Sequence, residues 1–87
     1  MNRKEKRAVR EMCGAKRKMN ARRIRAYLLL NEHTPASIAE QKGISRQAVY
    51  SVINGLKHTP DVLDALLVAG VPAEYLEDPR QVAGYAK

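Results

Sequence analysis

The stretch Arg46-Gln47-Ala48-Val49-Tyr50-Ser51 sets four polar side chains around an apolar position that recurs at Val52 and Ile53. Turned at 100° per residue, a helix here directs Gln47, Tyr50, Ser51 and Asn54 to the side opposite Val49, Val52 and Ile53. Arg46 falls in the first turn, where a long side chain still reaches that side. These groups carry the hydrogen-bonding patterns of nucleobase edges. A glutamine amide both donates and accepts and so matches adenine, while a guanidinium donates twice and matches guanine or a phosphate. Ser51 is small enough to allow close approach, and Tyr50 can stack on a sugar or hydrogen-bond a phosphate. Arg46, Gln47, Tyr50 and Ser51 are therefore the candidate base-contacting residues.

Other chemistries find less support. No nucleophile, base and orienting group come together, so a non-enzyme is expected, with no cofactor and no small-molecule ligand. His33 and His58 each precede a Thr-Pro pair and lack cysteine or carboxylate companions at ligand spacing, which makes them structural rather than metal-binding. Cys13 is the single cysteine; no intrachain disulfide can form, and a reduced, cytoplasmic setting is the simpler reading. The N-terminus is too charged for a secretory signal, and the apolar runs at 26–30 and 65–71 are too short to span a bilayer, so no membrane partner is expected.

Several elements must position the polar face. His-Thr-Pro occurs twice, at 33–35 and 58–60, and threonine followed by proline marks a helix start, predicting hydroxyl-capped helices that open at Pro35 and Pro60. Gly43, Gly55 and Gly70 fall where helices end with positive φ. Ser45 caps the helix between them. The spacing predicts helices over 16–31, 35–42, 46–54 and 60–69, then a short one from Val71-Pro72 through Leu76. In the first of these Met19, Ile24, Tyr27 and Leu28 share a face and Arg17, Arg22, Arg23 and Arg25 lie off it. Residues 2–13 form a weakly amphipathic basic helix ended by Gly14, or an arm that orders on binding; residues 80–87 show no organisation. No stretch alternates as a strand does, so the chain is all-α. One domain fits the 87 residues: a basic N-terminal arm or helix (1–15), a central unit (16–78) and a tail (79–87).

The net charge of +7 is concentrated at one end. Residues 1–25 hold eleven Lys and Arg against Glu5 and Glu11, whereas the rest carries five bases and seven acids. A polyanion is the natural partner of such a segment, because each neutralised phosphate releases condensed counterions. Arg22 and Arg23 are candidate phosphate contacts on this ground.

Ala39, Gly43, Ile44, Val49 and Val52 stand at offsets 0, 4, 5, 10 and 13, the sequence form of a helix-turn-helix: a small residue where two helices cross, a glycine to turn the chain, an apolar residue to plug the angle, and two valines facing inward. With Ile24, Ile38, Ser45, Ile53-Asn54-Gly55, Leu63, Leu66 and Val71, the chain from Ile24 to Leu76 resembles the lambda-repressor-like family of Cro and repressor type, and is similar also to the small Ner-type proteins of transposable phages. The resemblance implies a compact five-helix DNA-binding domain, a phage or prophage transcriptional regulator that lays helix 46–54 in the major groove, commonly as a homodimer. It implies phosphate contacts for Asn54, Lys57 and His58. Pro35 stands where the family often has a phosphate-gripping glutamine, so Thr34 or Ser37 must supply that contact. Lys42 occupies a usually apolar site and must extend its head to water. The apolar helix 60–69, with Tyr75, Leu76, Val82 and Tyr85, offers a dimer contact. The competing reading is a phage assembly or packaging-type protein that uses the helix-turn-helix as a docking module.

Overall fold

Asn2 opens the chain's first helix with a reciprocal cap. Its side chain accepts the Glu5 N–H at 2.8 Å, and the Glu5 carboxylate accepts the Asn2 N–H at 3.0 Å. In the computed structural model, which describes residues 1–86, six α-helices follow: α1 Arg3–Met19, α2 Ala21–Leu30, α3 Pro35–Lys42, α4 Arg46–Ile53, α5 Pro60–Val68 and α6 Ala73–Leu76, then a 3-10 turn at Pro79–Gln81. There is no strand among the described residues. The radius of gyration is 12.6 Å.

Two boundaries depart from the sequence reading. α1 runs straight through Gly14 and ends at Met19; the break between α1 and α2 falls at Asn20, whose N–H is taken by the Arg17 and Lys16 carbonyls. Gly14 ends nothing because its lack of a side chain serves packing. A Cβ there would overlap the Gly55 carbonyl oxygen, and one on Gly55 would overlap that of Gly14. The two glycines let the middle of α1 cross the turn after α4 backbone against backbone. The tail is organised too: Arg80 holds the Asp78 and Asp64 carboxylates, each at 2.7 Å, and Arg10 donates to the Tyr85 hydroxyl at 3.1 Å.

The core gathers Ile24 and Leu28 from α2, Ile38 from α3, Val49, Val52 and Ile53 from α4, Leu63 and Leu66 from α5, and Leu76 from α6. Tyr27 packs against it, its ring 5.6 Å from that of Tyr75. Met19 does not join the face expected of it: the α1–α2 break leaves it 84% exposed. Arg17, expected to point outward, is 0% exposed.

Arg17 is the centre of the architecture. Its guanidinium donates to the carbonyls of Leu76 at 2.5 Å, Val52 and Lys57 at 2.9 Å and Glu77 at 3.3 Å, with His58 Nδ1 a further 2.9 Å partner. These oxygens lie at the ends of α4 and α6 and in the turn after α4, where helical carbonyls run out of partners and the helix dipole is negative. One cation thus closes three chain segments at once. Burial lowers its pKa, and the electrostatic influence of Cys13, Asp78 and Glu77 opposes that shift; a guanidinium so placed remains the charged donor.

Candidate nucleic-acid interface

α3 and α4 meet across a tight turn in which Gly43 takes φ +68°, the left-handed conformation expected of it. Ala39 is buried at the crossing. α3 starts on a reciprocal cap: Thr34 Oγ1 accepts the Ser37 N–H at 3.0 Å and Ser37 Oγ accepts the Thr34 N–H at 2.9 Å. α4 starts on Ser45, whose hydroxyl accepts the Ala48 N–H at 3.1 Å, a cap worth about 1 kcal/mol. The second Thr-Pro behaves differently. α5 opens at Pro60 as predicted, but Thr59 makes no side-chain cap, and Asp61 supplies negative charge to the first turn instead. Ile44 is also not the plug expected of it, being 38% exposed.

The two sides of α4 differ in burial. Val49, Val52 and Ile53 are fully buried, whereas Arg46, Gln47 and Tyr50 are exposed and Ser51 and Asn54 half-buried. The helix is fixed at both ends, by Ser45 at its start and by Arg17 on the Val52 carbonyl near its finish. The Ser51 carbonyl also takes the N–H groups of Leu56 and Lys57, which folds the following turn tightly back. Such a helix presents its polar side in one orientation.

The phosphate candidates separate into three groups. Asn54, Lys57 and His58 continue directly from α4. Lys57 is exposed and its carbonyl is held by Arg17. His58 is half-buried, and burial first, then the charges of Arg17 and Arg10, push its pKa below the ordinary imidazole value. Nδ1 accepts from Arg17, so the ring proton sits on Nε2 and His58 is a neutral donor. Thr34 and Ser37 lie at the start of α3, both in the cap. Ser37 gives its hydroxyl proton to the Thr34 carbonyl at 2.9 Å, while Thr34 Oγ1 only accepts in that cap. Arg22 and Arg23 stand elsewhere: they line a hollow of about 470 Å³ with Lys16, Met19, Asn20 and Glu77, none from α3 or α4, and the Arg23 guanidinium lies 5.9 Å from the Tyr75 ring.

No family model, curated protein or solved structure matches this chain.

Two features are missed by the sequence reading. Arg17 anchors α4, and its signal is its register: Val9, Cys13 and Arg17 are spaced by four, so a helix continued through Gly14 puts Arg17 on the apolar side. Arg7 and Arg10 stand in the sequence only as part of a charge run, yet they border the turn after α4, lining a hollow with Glu11, Gly55, Leu56 and His58. Among the described residues no three His, Cys, Asp or Glu side chains gather as metal ligands, and no helix is long and apolar enough to cross a membrane.

Proposed function

We propose that this protein is a sequence-specific double-stranded DNA-binding transcriptional regulator of the lambda-repressor-like, helix-turn-helix type, a phage or prophage repressor or Cro-like protein. The carrying observation is α4 itself: Arg46, Gln47, Tyr50 and Ser51 line one side of a short helix whose other side is wholly buried and whose two ends are held. In this reading α4 enters the major groove, Gln47 and Arg46 pair with base edges, and Thr34, Asn54 and Lys57 contact the sugar-phosphate backbone on either side.

A homodimer fits the same reading, with its contact moved. Leu76 is buried and Tyr85 is bonded to Arg10, so Leu67 and Val68 are the large apolar side chains that α5 leaves exposed, Val68 to 90%, with Leu29 and Leu30 exposed at the end of α2. A two-fold dimer predicts inverted repeats with centres roughly 10–10.5 base pairs apart.

Selection of duplexes from a random pool at physiological salt tests the proposal. A motif should emerge, and Gln47→Ala should relax one base pair of it and weaken binding by about 1–3 kcal/mol. The absence of any motif, with a stable assembly larger than a dimer, would refute it in favour of an assembly or packaging protein.

A further inference from the structure

α1 carries a row of bases whose direction the fold fixes. Arg3, Arg7, Arg10 and Gly14 are spaced by four, three and four, so they follow one side of the helix. That side is the one pressed on the turn after α4, because Gly14 is the residue in backbone contact with Gly55. At its centre a hollow of about 460 Å³ lies between α1 and the turn, bordered by Arg7, Arg10, Glu11, Gly55, Leu56 and His58. Lys57 is exposed on the same turn. Among the described residues the one carboxylate bordering the hollow is that of Glu11, paired with Arg7 Nε at 3.3 Å with both side chains mostly in water.

We infer that the groove between the Arg3-Arg7-Arg10 side of α1 and the Gly55-Leu56-Lys57 turn is a seat for the DNA backbone, a second phosphate site that extends the contact of α4 along the duplex. The inference rests on the reading of α4 as the base-contacting helix. It adds the partner of the N-terminal charge and the way that charge is held. The surface is continuous with α4, since Asn54 and Gly55 follow its last residue. From Arg3 to Gly14 α1 rises about 16 Å at 1.5 Å per residue, a length of about five base-pair steps at 3.4 Å each. Arg17 and the glycine contact hold α1 in place before any ligand arrives, so α1 is a rigid outrigger and not an arm that must order on binding. Arg7 exchanges an exposed carboxylate for a phosphate at small cost, since an exposed ion pair at helical spacing is weak. Arg10 keeps its bond to Tyr85, which fixes where its guanidinium stands.

The experiment uses the full chain and two probes of equal length, the duplex it selects and one of random sequence, with affinity followed from 50 to 200 mM salt. Circular dichroism verifies that each variant is folded. The double variant Arg3→Gln/Arg7→Gln should lower the magnitude of the log–log salt slope by about 0.9–1.8 on both probes and leave the selected motif unchanged. Removing one phosphate contact changes the affinity ratio between those two salt concentrations by about 3.5-fold. Glu11→Gln should act in the opposite sense and tighten both probes severalfold at 50 mM salt, which a merely structural ion pair would not do. Unchanged slopes and an indifferent Glu11→Gln, with the motif retained, overturn the seat and leave the reading of α4 standing. A reduced slope in a protein that selects no motif supports the seat and overturns that reading. Absence of salt-dependent binding to either probe overturns both.

Discussion

Replacing Arg17 with methionine keeps most of the volume of the buried side chain and removes its charge and every donor. The Val52 carbonyl retains the N–H of Gly55 at 3.0 Å, so its loss is partial. The carbonyls of Lys57, Leu76 and Glu77 receive no other backbone N–H among the described residues outside regular helix pairing, and are left without a donor. A buried polar group so stranded costs about 1–3 kcal/mol; the Leu76 carbonyl is buried and those of Lys57 and Glu77 part-buried, so about 9 kcal/mol for the three is an upper figure. Water entering beside the half-exposed turn and release from the cost of burying a guanidinium give part of that back. The net expectation is about 3–5 kcal/mol, the usual loss when one partner of a buried charged contact is removed. For a chain of this size each kcal/mol moves the melting temperature by roughly 4–8 °C, so Arg17→Met should melt roughly 12–40 °C below the parent. Arg17→Lys, with the charge but no planar fork, should fall between the two. Thermal and urea unfolding followed by circular dichroism read both. A melting point for Arg17→Met within about 4 °C of the parent would mean that the carbonyls are satisfied without the guanidinium.

Three further expectations follow from single positions. Gly14→Ala should destabilise by about 1–3 kcal/mol in urea unfolding although alanine is the better helix former by about 1 kcal/mol, because its Cβ meets the Gly55 carbonyl oxygen; a stabilised variant would contradict the close crossing. At Gly43 a Cβ would meet no atom within 4 Å, so Gly43→Ala should cost only the left-handed conformation, about 1–2 kcal/mol, and Gly43→Asn less; equal losses in melting experiments would point to a clash instead. His58 binds its proton less readily folded than unfolded, first through burial and then through Arg17 and Arg10, so its contribution is intact above pH 6.5 and is lost as the pH falls below that value, at up to about 1.36 kcal/mol per unit. Urea titrations between pH 7 and 5 should show that slope in the parent and a flatter one in His58→Gln.

Much of α3, α4 and α5 is legible in the sequence because their boundaries are written in adjacent residues: Thr34-Pro35, Ser45 and Thr59-Pro60 at the starts, Gly43, Gly55 and Gly70 beyond the ends. The exposed side of α4 is legible for a similar reason, since local helical period alone separates Gln47 and Tyr50 from Val49, Val52 and Ile53. What is not legible depends on distant chain. Gly14 reads locally as a helix terminator, and only Gly55, brought against it by the fold, explains why glycine sits inside a helix. Arg17 reads as a surface charge because its acceptors are main-chain oxygens, which leave no mark on side-chain sequence, and they lie 35 to 60 residues away. Thr59 reads as a cap by the same letters as Thr34, yet its backbone at φ −59° and ψ 116° leaves the hydroxyl unused for that purpose.

The span of the Arg17 contacts has a consequence for the chain as it leaves the ribosome. α1 is synthesised before every segment it joins, and its last acceptors, the carbonyls of Leu76 and Glu77, are made 59 and 60 residues later. At roughly 5–20 residues per second that interval lasts about 3–12 s. Until Val52 and Lys57 are made, 35 and 40 residues after it, the guanidinium has none of these acceptors, and the set stays incomplete until Leu76 and Glu77 follow. α1 is thus made before every segment its guanidinium ties together, and a chain halted short of Glu77 keeps its basic helix without the full set of contacts that holds it.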